Sequence, residues 1–492
     1  MFNKNLLVIA LITTVSSLSG CKGGLFSGTE AAPAPLPPPA PVVVDGMRTS
    51  YADVVEKTSP AVVRIEASHK EKAAPQGQNP TADDFFKQFQ APQQNRRPQI
   101  ERGLGSGVIV NANGTILTNN HVVEGAEKIT VALSDNKTYS AKIVGTDEPS
   151  DLAVIKIEGE NLPFLTLGNS DSVRVGDIVL AIGNPLGIGQ SVTSGIISAK
   201  GRRTGLSDGS FEDFLQTDAP INRGNSGGAL VNLSGELIGI NSQILSGGTG
   251  GGNIGIAFSI PSNMAKSVME QLVKDGKVHR GMLGVNIQNI TDDTAKALEI
   301  KDKNGVLVSN VKSGSAADKA GVKRGDIIIA INGEKIEDSN TLRNKVAGTA
   351  PGTTIKLTVI REGKEMELSA TLDEFAAADA KNDGPGTGND DKGGAEKQSG
   401  KLGVGLEPVT PAIAKQLGLD SDKEGMVVTE VDPSGPAAEE GVSRGDVILE
   451  INKKAVNSVA DVQSALNASG DKPVLLLISR RGQTIYLTIK PE

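Results

Sequence analysis

The chain has 492 residues and a formal net charge of -8, and aromatic side chains make up only 3% of it. A chain of this length exceeds one ordinary hydrophobic core, so several domains are expected. It has no long basic run, which removes nucleic acid from the expected partners.

The first residues have the order of an export signal. Lys4 supplies a positive charge, and the apolar run 6–15 is long enough for a signal peptide but short for a membrane span. Leu-Ser-Gly-Cys at 18–21 resembles a bacterial lipobox, which implies removal of residues 1–20 and lipidation of Cys21. An ordinary signal peptide with a chance cysteine is the alternative.

That signal also predicts where the protein is found. Cys21 is the only cysteine, so the exported domains must hold together without internal disulfides. Lipidation predicts a protein of the bacterial periplasm that is anchored to a membrane, and Lys22 favours the outer membrane. Residues 21–46 contain the run AAPAPLPPPAPVV, which favours an extended spacer. A ligand for proline-recognising domains is the less favoured alternative.

Residues 47–275 form the first predicted folded domain. Short apolar runs broken by turns indicate an antiparallel β-rich fold, and Asn113-Gly114 between GVIV and TILT predicts a hairpin. DLAVIKI at 151–157 predicts a buried strand. The polar, Gln- and Pro-rich stretch 70–101 predicts a long loop within this domain.

Two copies of one module follow this domain. GVLVSNVKSGSAADKAGVKRGDIIIAING at 305–333 matches GMVVTEVDPSGPAAEEGVSRGDVILEINK at 425–453, at a constant offset of 120 residues. The modules are assigned to 280–374 and 401–492. The stretch 375–400 between them is polar and Gly-rich, which predicts a flexible linker.

Ser226, in the stretch NRGNSGGAL, is the candidate nucleophile. A serine hydroxyl needs an adjacent base, and histidine is the usual one. Of the three histidines, His69 borders the predicted loop and His279 lies between domains. His121 follows a predicted strand in the same domain as Ser226, so it is the candidate base.

A carboxylate usually orients such a histidine. Asp151 lies at the start of DLAVIKI, and Asp147 is its nearest rival. The order His121, Asp151, Ser226 is that of chymotrypsin and differs from those of subtilisin and the α/β-hydrolases. A structural Gly-rich turn is the alternative interpretation of Ser226. The three residues together predict acyl transfer.

Residues 224–228, GNSGG, differ by one residue from the GDSGG of trypsin-like proteases. By that resemblance the oxyanion hole comprises Gly224, Asn225 and Ser226, with the N–H groups of Gly224 and Ser226 as donors. Each such donor contributes about 2.7–4 kcal/mol to transition-state stabilisation. Gly224 can adopt backbone angles that are closed to other residues, which lets its N–H turn inward.

The whole sequence resembles the HtrA/Deg family of trypsin-like serine proteases with C-terminal PDZ domains. TNNHVV, DLAVIKI, QTDAPINRGNSGGAL and GIAFSIPSNM carry the match in the first domain, and GVKRGD and GVSRGD carry it in the modules. The resemblance implies a mainly β fold: a chymotrypsin-like double β-barrel followed by two small α/β PDZ domains. It also implies an ATP-independent endoprotease for misfolded envelope proteins, with chaperone activity as a possible second role, a homotrimer or a multiple of it, and no cofactor.

A partial prediction of substrate specificity follows from the same resemblance. Pro220, six residues before the nucleophile, lies at the base of the S1 pocket and offers no carboxylate for Lys or Arg. Ile221, Ile254, Ile256 and Phe258 are the expected lining residues, and they favour small aliphatic P1 side chains. The alternative is that these residues only fill the core of a buried strand.

The PDZ resemblance predicts that peptide C-termini bind the modules as an added strand. The carboxylate loops are assigned to Leu283, Gly284 and Val285 in the first module and to Leu402, Gly403 and Val404 in the second. Helices near 340–348 and 459–468 are expected to form the other wall of each groove. A β-rich spacer without a ligand is the alternative, above all for the second module.

The segment 199–213 is Gly-rich and polar and precedes the catalytic stretch. In the HtrA/Deg family the corresponding loop senses peptide binding and orders the oxyanion loop. Arg203 is the expected sensing residue, and Arg202 is the second choice. Two solvated arginines on an ordinary loop are the alternative.

Other classes of function have little support in the sequence. The run 247–253, GGTGGGN, lacks the Lys-Ser/Thr of a phosphate loop, and neither an HExxH motif nor a Cys/His cluster supports a metal site. The remaining rival is a membrane-anchored PDZ chaperone or scaffold whose protease site is latent or secondary.

Overall fold

The computed structural model of the chain forms two compact units, residues 1–50 and 51–492. It describes residues 43–44, 47–48, 50–69, 101–184, 189–204, 211–222, 224–246, 253–300, 303–375, 401–416, 424–470, 472–480 and 482–490. In the first unit, β1 (Val43–Val44) and β2 (Met47–Arg48) pair as antiparallel strands. Cys21, positions 31–42 of the Pro-rich run, positions 70–100 of the predicted loop 70–101 and positions 376–400 of the predicted linker 375–400 lie outside the described residues. Of these predicted segments, Val43 belongs to β1 and Glu101 begins a strand of the first barrel.

The second unit begins with α1 and a six-stranded closed barrel in the order β3-β4-β5-β8-β7-β6. Its core consists of branched aliphatic side chains such as Ile65, Ile116 and Ile155, which are fully buried. The expected hairpin is present, with Gly114 at a φ of 91° in its turn. The elements are α1 (Ala52–Thr58), β3 (Val62–His69), β4 (Glu101–Asn111), β5 (Thr115–Thr118), α2 (Asn120–Val123), β6 (Lys128–Ala132), β7 (Thr138–Asp147) and β8 (Leu152–Ile157).

A second six-stranded barrel follows, closed in the order β10-β11-β14-β13-β12-β9. Its elements are β9 (Ile178–Gly183), β10 (Ser191–Arg202), β11 (Phe214–Thr217), β12 (Ala229–Asn232), β13 (Leu237–Ser246), β14 (Asn253–Pro261) and the helix α3 (Ser262–Asp275). Val268 and Leu272 of α3 join a cluster that contains Leu117 of the first barrel and Ile182 of the second. This shared core fixes the two barrels against each other.

The first module is a sheet in the order β16-β17-β18-β20-β21, with β19 beside β18 and a short β15-β22 pair. Its elements are β15 (Gly281–Met282), β16 (Val285–Asn289), α4 (Asp292–Ala297), β17 (Val306–Val311), α5 (Ala316–Lys319), β18 (Ile327–Ile331), β19 (Glu334–Lys335), α6 (Ser339–Ala347), β20 (Thr354–Arg361), β21 (Lys364–Thr371) and β22 (Asp373–Glu374). The side chain of Asp338 caps α6 by accepting from the N–H of Thr341.

The second module repeats this sheet in the order β23-β24-β25-β27-β28, with β26 beside β25. Its elements are β23 (Val404–Pro408), α7 (Pro411–Gln416), β24 (Met426–Val431), α8 (Pro436–Glu439), β25 (Val447–Ile451), β26 (Lys454–Ala455), α9 (Val459–Ser469), β27 (Val474–Arg480) and β28 (Gln483–Ile489). The helices α6 and α9 lie where the sequence predicts them.

The repeated Arg-Gly-Asp of the modules has a structural role. Asp326 is buried, accepts from the N–H of Lys323 and forms an ion pair with Arg361. Asp446 does the same with the N–H of Ser443 and with Arg480. Arg361 also donates to the carbonyl of Gly321, and Arg480 donates to the carbonyl of Gly441. In each module the buried aspartate and its arginine therefore both have partners.

The prediction of a mainly β chain with a double barrel and two small α/β modules is confirmed. Among the described residues, no helix is both long enough and apolar enough to cross a membrane.

Candidate active site

The histidine and aspartate meet at one end of the first barrel. The ring of His121, on α2, places Nδ1 2.9 Å from both carboxylate oxygens of Asp151. Asp151 lies in the turn just before β8 with a φ of 54°, a conformation that Asp tolerates better than most residues. Asn119 and Asn120 both donate to the Asp151 carbonyl, so the Asn-Asn pair of the sequence holds this turn.

The other two histidines and Asp147, which were the alternative candidates, have other hydrogen-bond partners. His69 bonds the carbonyl of Glu124, and His279 bonds the carboxylate of Glu374. Asp147 is buried and forms a two-point ion pair with Arg280, with N–O distances of 2.7 and 2.5 Å. The structure therefore brings His121 together with Asp151 and not with Asp147.

Ser226 lies in the turn before β12 of the second barrel. Its hydroxyl donates to the carbonyl oxygen of Ser242 at 3.0 Å, and this is its one partner among the described residues. The hydroxyl of Ser242 in turn donates to Asp151 at 2.9 Å. Ser242, which sequence reasoning missed, therefore contacts both the nucleophile and the carboxylate.

The Gly-rich stretch around Ser226 forms a tight turn in the structure. Gly224 has a φ of 94°, which is favourable only for glycine. The N–H of Asn225 closes a turn onto the carbonyl of Asn222. Among the described residues, the N–H groups of Gly224 and Ser226 have no acceptor, so both are available to a developing oxyanion.

The side chain of Asn225 explains why this position is an amide. It is 4% exposed, and its Oδ1 has no hydrogen-bond partner. It packs against the backbone of Gly183, where an added Cβ would lie 2.3 Å from Oδ1. Among the described residues no cation pairs with this position, and a buried carboxylate without one costs several kcal/mol. Asn225 therefore shapes the loop without adding a charge.

Ser106 connects the first barrel to this loop and was also missed from sequence. Its side chain is fully buried on β4, and its hydroxyl donates to the Gly224 carbonyl at 2.6 Å and accepts from the N–H of Asn184. Its N–H donates to the Ser226 carbonyl at 2.8 Å, and its carbonyl accepts from Thr118. Ser106 thus holds the segment that contains Ser226 against β4 and, through Thr118, against β5, the strand that precedes His121.

The expected S1 residues divide into two sets. Ile221 and Phe258 are buried in hydrophobic clusters, whereas Pro220 is exposed. Ile254 is 54% exposed and Ile256 is half-buried, both on β14. The exposed positions are free to contact a substrate side chain, and the buried ones support the wall.

The loops assigned to carboxylate binding share one backbone feature in the two modules. Gly284 and Gly403 have φ values of 78° and 70°. Among the described residues, the N–H groups of Leu283, Gly284, Leu402 and Gly403 have no backbone acceptor. Val285 and Val404 begin the terminal strands β16 and β23, whose outer edges are unpaired in the described sheets.

Among the described residues of segment 199–213, Phe211 and Glu212 contact the first module. The guanidinium of Arg202 bonds Gln216 within the barrel, and Arg203 is exposed. Phe211 packs under the guanidinium of Arg280, 4.6 Å from its ring centre, and Asn344 of α6 donates to the carbonyl of Glu212.

The same segment reaches β13, the strand that carries Ser242, through a chain of hydrogen bonds. The carboxylate of Glu212 accepts from the N–H and the hydroxyl of Thr204, and Gln243 donates to that hydroxyl. Gln243 adjoins Ser242. The first module, this segment and the catalytic strand β13 are therefore in continuous contact.

A cavity of about 350 Å³ lies between the second barrel, α3 and α6. Asp213 and Asp171 line it, together with Lys345 of the first module. Burial, helped by the neighbouring carboxylates of Asp171 and Asp338 and opposed by Lys200, raises the pKa of Asp213 to about 6. Within the described part of the chain, no cluster of side chains is suited to holding a metal ion.

Comparisons with known proteins agree with this geometry. A family model for a trypsin-like peptidase domain matches residues 105–240, and a PDZ domain model matches 281–372 and 400–490. A probable periplasmic serine endoprotease, DegP-like, from Chlamydia pneumoniae is 40% identical, with 92% of each chain covered. The periplasmic pH-dependent serine endoprotease DegQ of Escherichia coli K12 is 41% identical over 90% of this chain and 91% of its own.

Solved structures of an HtrA-type protease are also similar to this chain. The HtrA-type protease AlgW with a tripeptide is 41% identical, with a TM-score of 0.55. It covers 67% of this chain and 99% of its own length. AlgW with a decapeptide is 42% identical, with a TM-score of 0.53.

Proposed function

Because this chain belongs to the HtrA/Deg family of trypsin-like serine endoproteases with two PDZ domains, we propose that Ser226, His121 and Asp151 are its catalytic residues. Since Nδ1 of His121 faces Asp151, the proton of Ser226 must pass to Nε2. Ser226 therefore exchanges its hydrogen bond to Ser242 for one to His121 before it attacks.

The proposed reaction proceeds through an acyl-enzyme. Ser226 Oγ adds to the peptide carbonyl while His121 takes its proton, and the N–H groups of Gly224 and Ser226 hold the resulting oxyanion. His121 then gives the proton to the leaving amine. Water, deprotonated by His121, cleaves the ester and restores Ser226. The Ser242 carbonyl, once vacated, is an acceptor for a backbone N–H of the substrate.

The substrates we propose are unfolded or misfolded envelope proteins, cleaved after small aliphatic residues. The exposed Ile254 and half-buried Ile256 supply an apolar contact for the P1 side chain. Peptide C-termini bind the carboxylate loops of the PDZ domains, beside the free edges of β16 and β23. Binding at the first domain is passed to the active site through segment 199–213, with Arg203, or Arg202, as the sensing residue.

The proposed setting of the protein rests on the sequence. Cys21 carries lipid and tethers the protease to the outer membrane, within the bacterial periplasm. The expected assembly is a homotrimer. An N-terminal Cys21 that carries acyl chains in the mass spectrum would support the anchor, and an unmodified N-terminus at another residue would contradict it.

The positions of His121, Asp151 and Ser226 favour an active protease over the alternative, a PDZ chaperone whose protease site is latent. The test is casein digestion by purified protein, with and without Ser226→Ala. The proposal expects digestion by the wild type alone. Suppression of aggregation by both proteins, with digestion by neither, would favour the chaperone.

A further inference from the structure

The two PDZ domains pack against each other despite the long linker between them. One apolar cluster contains Ile290, Leu307 and Ile327 of the first domain and Leu475 and Leu477 of the second, all nearly or fully buried. This cluster is separate from the core of either domain. The modules therefore share a dry interface between folded units.

Polar contacts at this interface join β28 to the first domain. The side-chain amide of Gln288 donates to the Tyr486 carbonyl at 3.1 Å and accepts from the Tyr486 N–H at 2.7 Å. Gln288 therefore bonds β28 through both its donor and its acceptor. The hydroxyl of Thr484 donates to the Ser309 carbonyl at 2.8 Å.

A charged pair lies at the edge of the interface. Arg324, the arginine of GVKRGD, pairs with Glu450 of the second domain. The hydroxyls of Thr294 and Thr488 bond each other at 3.0 Å in the same interface. The interface thus combines a buried apolar centre with satisfied polar groups around it, as in specific protein interfaces.

The internal repeat supplies a comparison for these residues. When the domains are aligned at Arg361 and Arg480, the positions of Leu475, Leu477 and Tyr486 are occupied in the first domain by Lys356, Thr358 and Glu367. Lys356 and Glu367 are exposed, whereas their counterparts are buried. At these positions the first domain has two exposed charged residues and Thr358, whereas the second domain has two leucines and a tyrosine that pack against the first domain.

This interface lies directly behind the peptide-binding strand. Side chains alternate along β16: Val285 and Ile287 pack on the core of the first domain, and Gln288 points to the second. β16 is the terminal strand of its sheet, so an added peptide would pair with its free edge. The second domain therefore contacts β16 on the face of the sheet opposite the one that packs on the core of the first domain.

We infer that the second PDZ domain is a built-in support for the first: it docks behind β16 and holds this strand in the position that binds peptide C-termini. The inference rests on the proposed peptide binding by the first domain. Undocking the second domain should leave β16 less ordered, so that peptide binding must also order the strand and becomes weaker.

The test replaces three interface residues by those of the first domain: Leu475→Lys, Leu477→Thr and Tyr486→Glu together, in the full chain with Ser226→Ala. The first domain folds with these residues on the same face, so the variant should fold. Gln288→Ala provides an independent loss of contact. Glu367→Lys, at the equivalent exposed position of the first domain, is the matched control.

Two measurements decide the outcome: the affinity for a fluorescein-labelled decapeptide with a free Ala-Val-Phe C-terminus, and hydrogen exchange of β16 and β28. The triple variant should bind about fivefold more weakly or worse and exchange faster in both strands, with Gln288→Ala between it and the wild type. Glu367→Lys should behave as the wild type.

If hydrogen exchange of β16 and β28 in the triple variant equals that of the wild type, the two domains do not dock as described. If exchange is faster but the peptide affinity is unchanged, the second domain docks without supporting β16. If the wild type binds no peptide, the proposed role of the first domain fails and the support fails with it. In that case the exchange data still show whether the two domains dock.

Discussion

The hydroxyl of Ser226 donates to the backbone carbonyl of Ser242 at 3.0 Å, and the hydroxyl of Ser242 donates to Asp151. One residue on β13 therefore contacts both the proposed nucleophile and the proposed orienting carboxylate. Its carbonyl accepts from the hydroxyl of Ser226, whereas its side chain bonds the carboxylate that contacts His121.

Ser242→Ala should lower kcat/KM about tenfold or more. The substitution keeps the carbonyl but removes a hydrogen bond to an ionised carboxylate, and such bonds contribute about 1.5–3 kcal/mol. Reporter-peptide kinetics measure the effect, with Ser194→Ala on the exposed face of β10 as the control. Equal rates for the two variants would contradict the role of the Ser242 hydroxyl.

Ser106→Ala should lower kcat much more than it changes KM. The Gly224 carbonyl and the Asn184 N–H both lose their partner, so the oxyanion loop loses its tie to the first barrel. Displacement of one oxyanion donor costs about 10²-fold or more in kcat. Ser140→Ala, on the exposed face of β7, is the control.

The affinity for a peptide boronate, which mimics the tetrahedral intermediate, separates positioning by Ser106 from a loss of fold. It should fall in parallel with kcat/KM in Ser106→Ala, while thermal stability falls only modestly. A variant that loses stability but keeps its boronate affinity and kcat would show that Ser106 is only structural.

Asp147 and Asp151 should respond in opposite ways to substitution. Asp147→Ala leaves Arg280 buried without its partner, so the free energy of unfolding should fall by about 3–5 kcal/mol. Asp151→Asn should lower kcat about 10⁴-fold with little loss of stability. Thermal unfolding and peptide kinetics on both variants check this, and the reverse pattern would make Asp147 the catalytic carboxylate.

Asp213 should make the folded state sensitive to pH. Because burial raises the pKa of Asp213 to about 6, its contribution to stability is full below pH 3.8 and is lost as the pH rises through 6. Above that, the charged form costs the folded state about 3 kcal/mol. Asp213→Asn should therefore raise the melting temperature at pH 7.5 and change it little at pH 4.

An exposed carboxyl serves as the control for this effect. The hydrogen bond from Lys137 lowers the pKa of Asp135 rather than raising it, so Asp135→Asn should not stabilise the protein at pH 7.5. A melting temperature of Asp213→Asn that follows the wild type at both pH values would contradict the proposed cost of charging Asp213.

Sequence patterns were sufficient for the architecture of this chain. Short apolar runs, the Asn113-Gly114 turn and the 120-residue repeat indicate two β-rich parts, and GNSGG fixes the glycine at 224. The docking of the second PDZ domain was not predicted, because the polar linker suggested independent modules. A signal was present: β27 reads VLLLIS without polar alternation, which indicates a strand covered on both faces.

The site was predicted less completely than the fold. Motifs point to His121 and Ser226 because each lies in a recognisable stretch. Ser106 and Ser242 are ordinary serines in strands, and their partners are 118 and 91 residues away, so only the packing of the two barrels brings them to the site. The contacts of Phe211 and Glu212 with the first module were not predicted, because neither residue lies in a recognisable motif, and the sensing role of Arg203 or Arg202 stays a prediction.

The most direct test of the account is covalent labelling of the nucleophile. A fluorophosphonate should react with the wild-type protein in the presence of casein, and peptide mass mapping should place one phosphonyl group on Ser226. His121→Ala should abolish both the label and casein cleavage. Casein cleavage that continues while Ser226 stays unlabelled, or that survives Ser226→Ala, would contradict the serine-protease mechanism.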